Sequence, residues 1–186
     1  YLNVHNPSLR VVEGDFLKMD LTALFHDSFA IIGNFPYNIS SQILFRLYDN
    51  RDMIPELVGM FQKEVAERVA AKPGNKSYGI LSVLLSAFYD KECLFTVHEH
   101  VFNPPPKVKS AVIRLVRNGV DKIDCDQELF EKIVKTGFNQ RRKTMRNALK
   151  QLNLDTSTIP DNYLQARAEQ LSVVDYIHLT QIISSL

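Results

Sequence analysis

The sequence predicts an α/β fold up to about residue 118, followed by a small all-helical part. Short apolar runs typical of strands alternate with helical patterns in the first part, and no strand signal recurs after Asn118-Gly119. The 186 residues suffice for one compact domain, or for one domain with a small appendage. A composition of 45% hydrophobic and 23% charged residues excludes a disordered chain.

The first elements are two strands that end in polar turns. Leu9 to Val12 runs into Glu13-Gly14-Asp15, and Phe29 to Ile32 runs into Gly33-Asn34. Asp20 to His26 is expected to form a short helix between them. Polar loops are thus expected at the carboxyl ends of both strands, where open α/β sheets place residues that contact ligands.

The next three elements are a helix, a strand and a second helix. A serine N-cap and apolar residues at helical spacing predict a helix from Ser41 to Asp49. Glu56 to Gln62 is predicted to be a strand, and Lys63 to Ala71 a helix that the following Lys72-Pro73-Gly74-Asn75 ends.

A buried helix and two strands complete the α/β part. The helix is predicted from Ile80 to Tyr89, the first strand from Glu92 to Val97, and a longer, alternating strand from Val108 to Val116. A linker then extends to about Asp126.

Four helices are predicted after the linker. Breaks at Asn153 to Asp161 and at Leu171-Ser172 separate the last three of them. Their predicted ranges are Leu129 to Phe138, Lys143 to Leu152, Tyr163 to Ala168 and Val173 to Ile183.

Several classes of protein are excluded by what the sequence lacks. No apolar run approaches the roughly 18 residues of a membrane-spanning helix. Cys93 and Cys125 have neither CxxC nor His-paired spacing, so neither a disulfide framework nor a metal site is expected. His98 and His100 stand two positions apart at a strand end, which is typical of a solvated edge. We therefore expect a cytoplasmic protein without a metal.

Positive charge is concentrated in one segment. The whole chain carries a net charge of +1, but Lys132 to Lys150 contains seven basic residues and no acidic one. On a helix that begins near Arg142, the basic residues share one broad face, while Met145 and Leu149 fall on another. The basic face suits phosphate contacts, and the alternative is an ordinary solvated helix face.

The tetrapeptide Asn34-Phe35-Pro36-Tyr37 follows a predicted buried strand directly. An Asn carbonyl can accept a hydrogen bond from an exocyclic amine, and a residue before proline tends to present its own carbonyl outward. A tyrosine ring offers a face for stacking. Together these groups suit a flipped-out adenine held by its N6 amine, and the alternative is an ordinary Asn-x-Pro turn.

Four motifs, in order, carry a family resemblance. They are Gly33-Asn34-Phe35-Pro36-Tyr37-Asn38-Ile39-Ser40, Gln62-Lys63-Glu64-Val65, Phe102-Asn103-Pro104-Pro105-Pro106-Lys107-Val108-Lys109-Ser110-Ala111-Val112 and Phe138-Asn139-Gln140-Arg141-Arg142-Lys143-Thr144. With these motifs the chain resembles the KsgA family of ribosomal RNA adenine dimethyltransferases over essentially its whole length. The last motif resembles the bacterial branch most closely.

The resemblance implies methyl transfer from S-adenosylmethionine to the N6 amines of two adjacent adenines near the 3′ end of small-subunit rRNA. It implies that Asn34 and the Phe35 carbonyl accept from the amine, and that Tyr37 and Phe102 enclose the base together with Pro36. Asp15 and Phe16, with Asn34, are implied to bind the cofactor. The implied RNA contacts are Arg141, Arg142, Lys143, Arg146 and Lys150.

The chain departs from the family at its start. Family members begin with a strand and a Gly-x-Gly loop for the methionine end of the cofactor, whereas the seven glycines here are scattered. We therefore expect a Rossmann-like class I methyltransferase sheet that lacks its first two strands, about 60 residues at ~30 per β/α unit. The expected domains are 1–118 and, for rRNA binding, 119–186.

Without those strands the chain alone is expected to be inactive and to bind the cofactor weakly. Residues before about Asp27 are expected to detach, to pair with another edge or to borrow a partner from a second chain. Two alternatives remain open: a non-catalytic RNA-binding or ribosome-assembly module, and an Erm-like enzyme that acts on large-subunit RNA.

Overall fold

A computed structural model describes residues 11–154 and 156–185, and its centre is a four-stranded sheet. The strands are β1 (Ile31–Asn34), β2 (Glu56–Gln62), β3 (Tyr89–Val97) and β4 (Ser110–Arg117). Their order in the sheet is β1-β2-β4-β3. β1 and β2 are parallel, and the two remaining pairings are antiparallel.

Eight α-helices surround or follow the sheet in the described ranges. They are α1 (Leu21–Leu24), α2 (Ser40–Asp49), α3 (Lys63–Ala70), α4 (Ile80–Ser86), α5 (Gln127–Asn139), α6 (Met145–Leu149), α7 (Asp161–Gln165) and α8 (Val173–Ser184). Four short 3₁₀ segments cover Tyr37–Ile39, Glu99–Val101, Lys150–Leu152 and Ala168–Gln170. No helix in these ranges is long and apolar enough to cross a membrane.

Within the described residues the predicted alternation of strands and helices is confirmed, except at the first predicted strand, Leu9 to Val12. Leu9 and Arg10 lie outside the described residues, and Val11 and Val12 are exposed and do not form a strand. Among the described residues no strand pairs with the free edge of β1, so the sheet holds only the later strands expected of the Rossmann-like fold.

β1 lies two residues later than the predicted strand from Phe29 to Ile32. Its pairing with β2 runs from Ile31 opposite Leu57 to Asn34 opposite Met60. The glycine and asparagine that resemble a turn in sequence are therefore the last two ladder residues. Asn34 consequently stands at the carboxyl end of the strand rather than in a loop beyond it.

Several predicted helices have different ends. The helix predicted from Tyr163 to Ala168 is α7 at Asp161–Gln165, and Ala168 belongs to a 3₁₀ segment instead. The buried helix that was expected to reach Tyr89 ends at Ser86, because Tyr89 pairs with Arg117 as the first residue of β3. The helix expected from Lys143 begins at Met145 instead. Thr144, its N-cap, makes an isolated β-bridge with Arg167, and this extended backbone excludes Thr144 and Lys143 from the helix.

The helical part packs on the α/β part through buried aromatic residues. The Phe138 ring stacks on Tyr176 and meets the edge of Tyr78, at centroid distances of 6.3 and 5.9 Å. Burial raises the pKa of Tyr78 to about 12. The Tyr48 hydroxyl donates to Glu131 at 3.1 Å across the same junction. One hydrophobic core joins both parts, and the boundary at residue 118 stays a prediction.

The segment before β1 is attached to α2. The Arg46 guanidinium donates to the Leu17 carbonyl at 2.7 Å and to the Met19 carbonyl, and it lies 5.4 Å from the centre of the Phe16 ring. Leu21 is buried in the core. Of the three outcomes expected for residues before about Asp27, detachment is therefore wrong for the described part, because Arg46 and Leu21 hold it in place.

Candidate active site

The loop after β1 is fixed at both ends by hydrogen bonds. The Phe35 amide donates to the Met60 carbonyl at 3.4 Å, which continues the β1–β2 ladder by one residue. Ile39 donates to the Pro36 carbonyl at 3.3 Å, and the Ser40 hydroxyl donates to the Tyr37 carbonyl at 3.0 Å. The backbone that carries the four predicted site residues is therefore held between β1 and α2.

Two facing glycines make room for the Phe35 ring. Gly33 and Gly59 lie opposite each other on β1 and β2. A Cβ atom at either position would lie 2.8 or 2.6 Å from the Phe35 ring, closer than such contacts occur. The ring also stacks on Phe61 at 5.2 Å. Since the ring occupies this slot over the sheet, its packing fixes the position of the Phe35 backbone.

The predicted target-base residues line one cavity. Its volume is about 390 Å³, within the range of small-molecule sites. The lining residues are Asn34, Phe35, Pro36, Tyr37, Phe102, Pro104 and Pro106. Asn34 is exposed, and its side chain has no hydrogen-bond partner among the described residues. An amide oxygen, a tyrosine ring and a phenylalanine ring are thus available to one bound molecule.

Ser110 holds the tyrosine of this cavity. The hydroxyl groups of Tyr37 and Ser110 hydrogen bond to each other, and Ser110 is the buried first residue of β4. The bond links the loop after β1 to the strand that follows the Phe102 segment. Ser110 had no predicted role. The signal for it was its place in the same sequence motif as Phe102, whereas its partner could not be read from spacing.

Asp15 and Phe16 do not line this cavity. The Asp15 carboxylate accepts from the Leu17 amide at 3.0 Å, and its second oxygen is 3.7 Å from the Lys18 ammonium. The Phe16 amide has no partner in residues 11–154 and 156–185. An exposed acceptor thus lies beside a free donor. Phe16 lines a separate apolar groove of about 430 Å³ along β1, together with Met19, Leu24, Phe25 and Ile32.

The basic residues divide into paired and unpaired groups. Arg141 forms an ion pair with Glu169 at 2.5 Å, and Arg146 forms one with Asp161 at 2.5 Å. Of the five predicted RNA contacts, Arg142, Lys143 and Lys150 are exposed and form no ion pair in the described ranges. Met145 and Leu149 are buried, as predicted. Arg142 and Lys143 precede α6 rather than forming part of its face.

Comparison with known proteins identifies the class and then the family. The structure superposes on a dimethyladenosine transferase from Plasmodium falciparum with a TM-score of 0.81 and 25% identity, over 99% of this chain and 75% of that one. It superposes on the 23S rRNA methyltransferase ErmE with a TM-score of 0.69 and 21% identity, over 98% and 75%. The fold is therefore that of the Rossmann-like rRNA methyltransferases.

The sequence comparison is more specific. The family model of ribosomal RNA adenine dimethylases matches residues 2–185. Ribosomal RNA small subunit methyltransferase A of Cytophaga hutchinsonii is 60% identical, over 99% of this chain and 72% of the relative. The protein of the same name from Flavobacterium johnsoniae is 55% identical, over 100% and 72%. The chain belongs to the ribosomal RNA adenine dimethylase family, which confirms the resemblance found in the sequence.

Substitution of Gly59 by alanine tests the slot for the Phe35 ring. We expect Gly59→Ala to lower the free energy of unfolding by about 1–3 kcal/mol, the usual cost of overpacking, because its methyl group would meet two rings. Chemical denaturation measures this change. Phe35→Leu is the control, and the double variant should lose less than the sum of the two single changes. Strictly additive losses of unfolding free energy would show that Gly59 is not required to accommodate the Phe35 ring.

Proposed function

We propose that this chain carries the target-base site of an enzyme that dimethylates N6 of two adjacent adenines near the 3′ end of small-subunit rRNA, with S-adenosylmethionine as methyl donor. The observation that carries the proposal is that Asn34, Phe35 and Tyr37 line the same cavity as Phe102. The names of the 55–60% identical relatives support the small subunit as the substrate. Because bacteria assemble the small ribosomal subunit in the cytoplasm, the cytoplasm is the proposed compartment.

The cofactor's adenine fits the groups at Asp15 and Phe16. A carboxylate oxygen can accept from the cofactor's N6 amine, and the free Phe16 amide can donate to the neighbouring ring nitrogen. The described residues include no glycine-rich loop for the methionine end. The fit thus covers one end of the cofactor, and we propose Asp15 and Phe16 as its contacts, with Asn34 at the end nearer the target base.

The chemistry follows from positioning rather than from a strong base. When bound, the cofactor supplies an electrophilic methyl group on its sulfonium sulfur. The Asn34 amide oxygen and the Phe35 carbonyl accept hydrogen bonds from the N6 amine of the target adenine, which directs the nitrogen lone pair away from both acceptors. Tyr37 stacks on the base and Phe102 closes the opposite side. The N6 nitrogen would form its bond to the methyl carbon as the carbon–sulfur bond breaks, which leaves a neutral thioether, and the amine proton would then leave to solvent.

The site has no competing catalytic constellation in the described part of the chain. No group of three or more metal-ligating side chains occurs there. The Tyr37–Ser110 hydroxyl pair has no histidine or carboxylate partner that would make a nucleophile. An N6 amine is consequently the substrate group that these acceptors suit, rather than a ring carbon or a ribose hydroxyl.

Two other functions make different predictions. A non-catalytic RNA-binding or assembly module would bind small subunits without transferring methyl groups. An Erm-like enzyme would methylate large-subunit RNA, and the 21% identity to ErmE supports only a shared fold. The relatives' names, which state a methyltransferase of the small subunit, favour the proposed enzyme over both alternatives.

A methyl-transfer assay distinguishes these functions. For activity we use an "extended chain", in which the family's glycine-loop unit from the Cytophaga relative precedes Tyr1. With labelled S-adenosylmethionine, we expect incorporation into unmethylated small subunits, up to four methyl groups per particle, and none into large subunits. Incorporation into large subunits alone would support the Erm-like function. RNA binding without incorporation would support the non-catalytic module.

The unpaired cations are expected to contribute most of the electrostatic binding to RNA. Each of Arg142→Glu, Lys143→Glu and Lys150→Glu should weaken binding of a small-subunit transcript and reduce the slope of log K against log [salt] by about 0.7–0.9, since each phosphate contact releases counterions. Fluorescence anisotropy over a salt series measures both. Lys122→Glu, at another exposed lysine, is the matched control. Equal slopes for all four variants would place the RNA surface elsewhere.

A further inference from the structure

The loop between α3 and α4 lies against the basic segment. The Arg141 guanidinium donates to the Lys76 carbonyl, and its Nε lies 2.5 Å from the Glu169 carboxylate. The Gly74 amide donates to the Glu169 carbonyl at 2.7 Å. Arg141 and Glu169 thus tie a loop of the α/β part to the helical part at two points.

The loop itself is a compact turn that presents Lys76 to solvent. Asn75 donates to the Lys72 carbonyl at 3.2 Å, and the Asn75 side chain accepts from the Ser77 amide at 2.8 Å. Gly74 has a φ of +84°, which a residue with a Cβ rarely adopts. The backbone of Lys76 is therefore held, while its ammonium group is exposed.

Of the cationic side chains near the loop, some form ion pairs and others do not. The Glu169 carboxylate compensates the charge of Arg141, which is only partly exposed. Lys76 is exposed and forms no ion pair among the described residues, as is true of Arg142 and Lys143 next to Arg141 in the chain. Because Arg141 contacts the Lys76 backbone, the loop that carries one unpaired cation lies against the segment that carries the other two.

We propose that Lys76 binds an RNA phosphate as part of one surface with Arg142 and Lys143, and that Arg141 is a positioning residue that holds the Lys76 loop at this surface. The proposal rests on the proposed function, since it takes small-subunit rRNA as the partner. It extends the RNA surface from the helical part onto the α/β part. It also changes the role predicted for Arg141, from an RNA contact to a contact within the protein.

The first test replaces Lys76 by glutamine in the 186-residue chain. The probe is a transcript of the 3′ portion of small-subunit rRNA that contains the two adjacent adenines. Lys76→Gln should weaken binding about fivefold at 0.1 M salt and reduce the salt slope by about 0.7–0.9, with an unchanged melting temperature. Lys122→Gln should leave affinity and slope unchanged. A Lys76→Gln slope equal to that of the wild type overturns the proposal.

The second test separates positioning from direct contact. Arg141→Lys keeps the charge but cannot bridge Glu169 and the Lys76 carbonyl with a planar guanidinium. It should weaken binding as much as Lys76→Gln does, and combining it with Lys76→Gln should add little. If Arg141→Lys binds as the wild type does while Arg141→Gln loses affinity, Arg141 contacts RNA itself and the positioning role is wrong.

The two proposals fail in different ways. If the wild-type chain shows no salt-dependent binding to the transcript, the RNA surface as a whole is absent and the proposed function loses its support. If the wild type binds and its salt slope falls with Arg142→Glu but not with Lys76→Gln, only the extension to the α3–α4 loop is wrong.

Discussion

Asn34→Ala is expected to slow methyl transfer by the extended chain about 10²- to 10³-fold, by analogy with loss of an oxyanion-hole donor. This loss corresponds to roughly 2.7–4 kcal/mol of barrier. The reason is that Asn34 is exposed in the cavity with an uncommitted side chain, so its oxygen is one of two acceptors that orient the amine. Single-turnover kinetics with saturating cofactor measures the methyl-transfer step directly.

Asn34→Asp is the control for this experiment. The carboxylate keeps an acceptor oxygen at the same place, so this variant should retain more activity than Asn34→Ala. RNA affinity should be the same in both variants, because Asn34 lies outside the basic segment. Equal turnover in the wild type and Asn34→Ala would exclude the proposed role of Asn34.

The second large effect concerns the cofactor. The 186-residue chain should bind S-adenosylmethionine at least about 100-fold more weakly than the extended chain, because only the adenine end finds partners, at Asp15 and Phe16, and unmade polar contacts cost about 1–3 kcal/mol each. Calorimetric titration measures both affinities. Asp15→Ala should abolish the residual binding. Micromolar, one-to-one binding by the 186-residue chain would show that the described residues complete the site.

The fold could be predicted from the sequence where the hydrophobic periodicity agreed with the positions of capping and breaking residues. β2 lies at the predicted residues, and the apolar spacing of α2 also acts locally, although this helix begins one residue early at Ser40. The predicted serine N-cap is wrong, because the N-cap is Ile39 and the Ser40 hydroxyl donates to the Tyr37 carbonyl instead. The β1 boundary could not be predicted, since Gly33 and Asn34 have turn propensity and only pairing with Gly59 and Met60 makes them strand residues. Tertiary pairing outweighed local preference there.

In the candidate site, too, some residues could be predicted from the sequence and others could not. The residues around Asn34 were predicted because an amide, a proline and a tyrosine carry their chemistry in their sequence order. The glycine at position 59 and the hydroxyl of Ser110 were missed, because their partners, Phe35 and Tyr37, are distant in sequence. The ion pair of Arg141 with Glu169 was missed for the same reason.

The product of the reaction tests the central claim most directly. The extended chain is incubated with unmethylated small subunits and S-adenosylmethionine, and the rRNA is digested to nucleosides and to oligonucleotides for mass spectrometry. We predict N6,N6-dimethyladenosine at two adjacent adenines near the 3′ end, in an amount that Asn34→Ala strongly reduces. Methylation of a ring carbon or a ribose hydroxyl, or dimethyladenosine formation that is independent of Asn34, would contradict it.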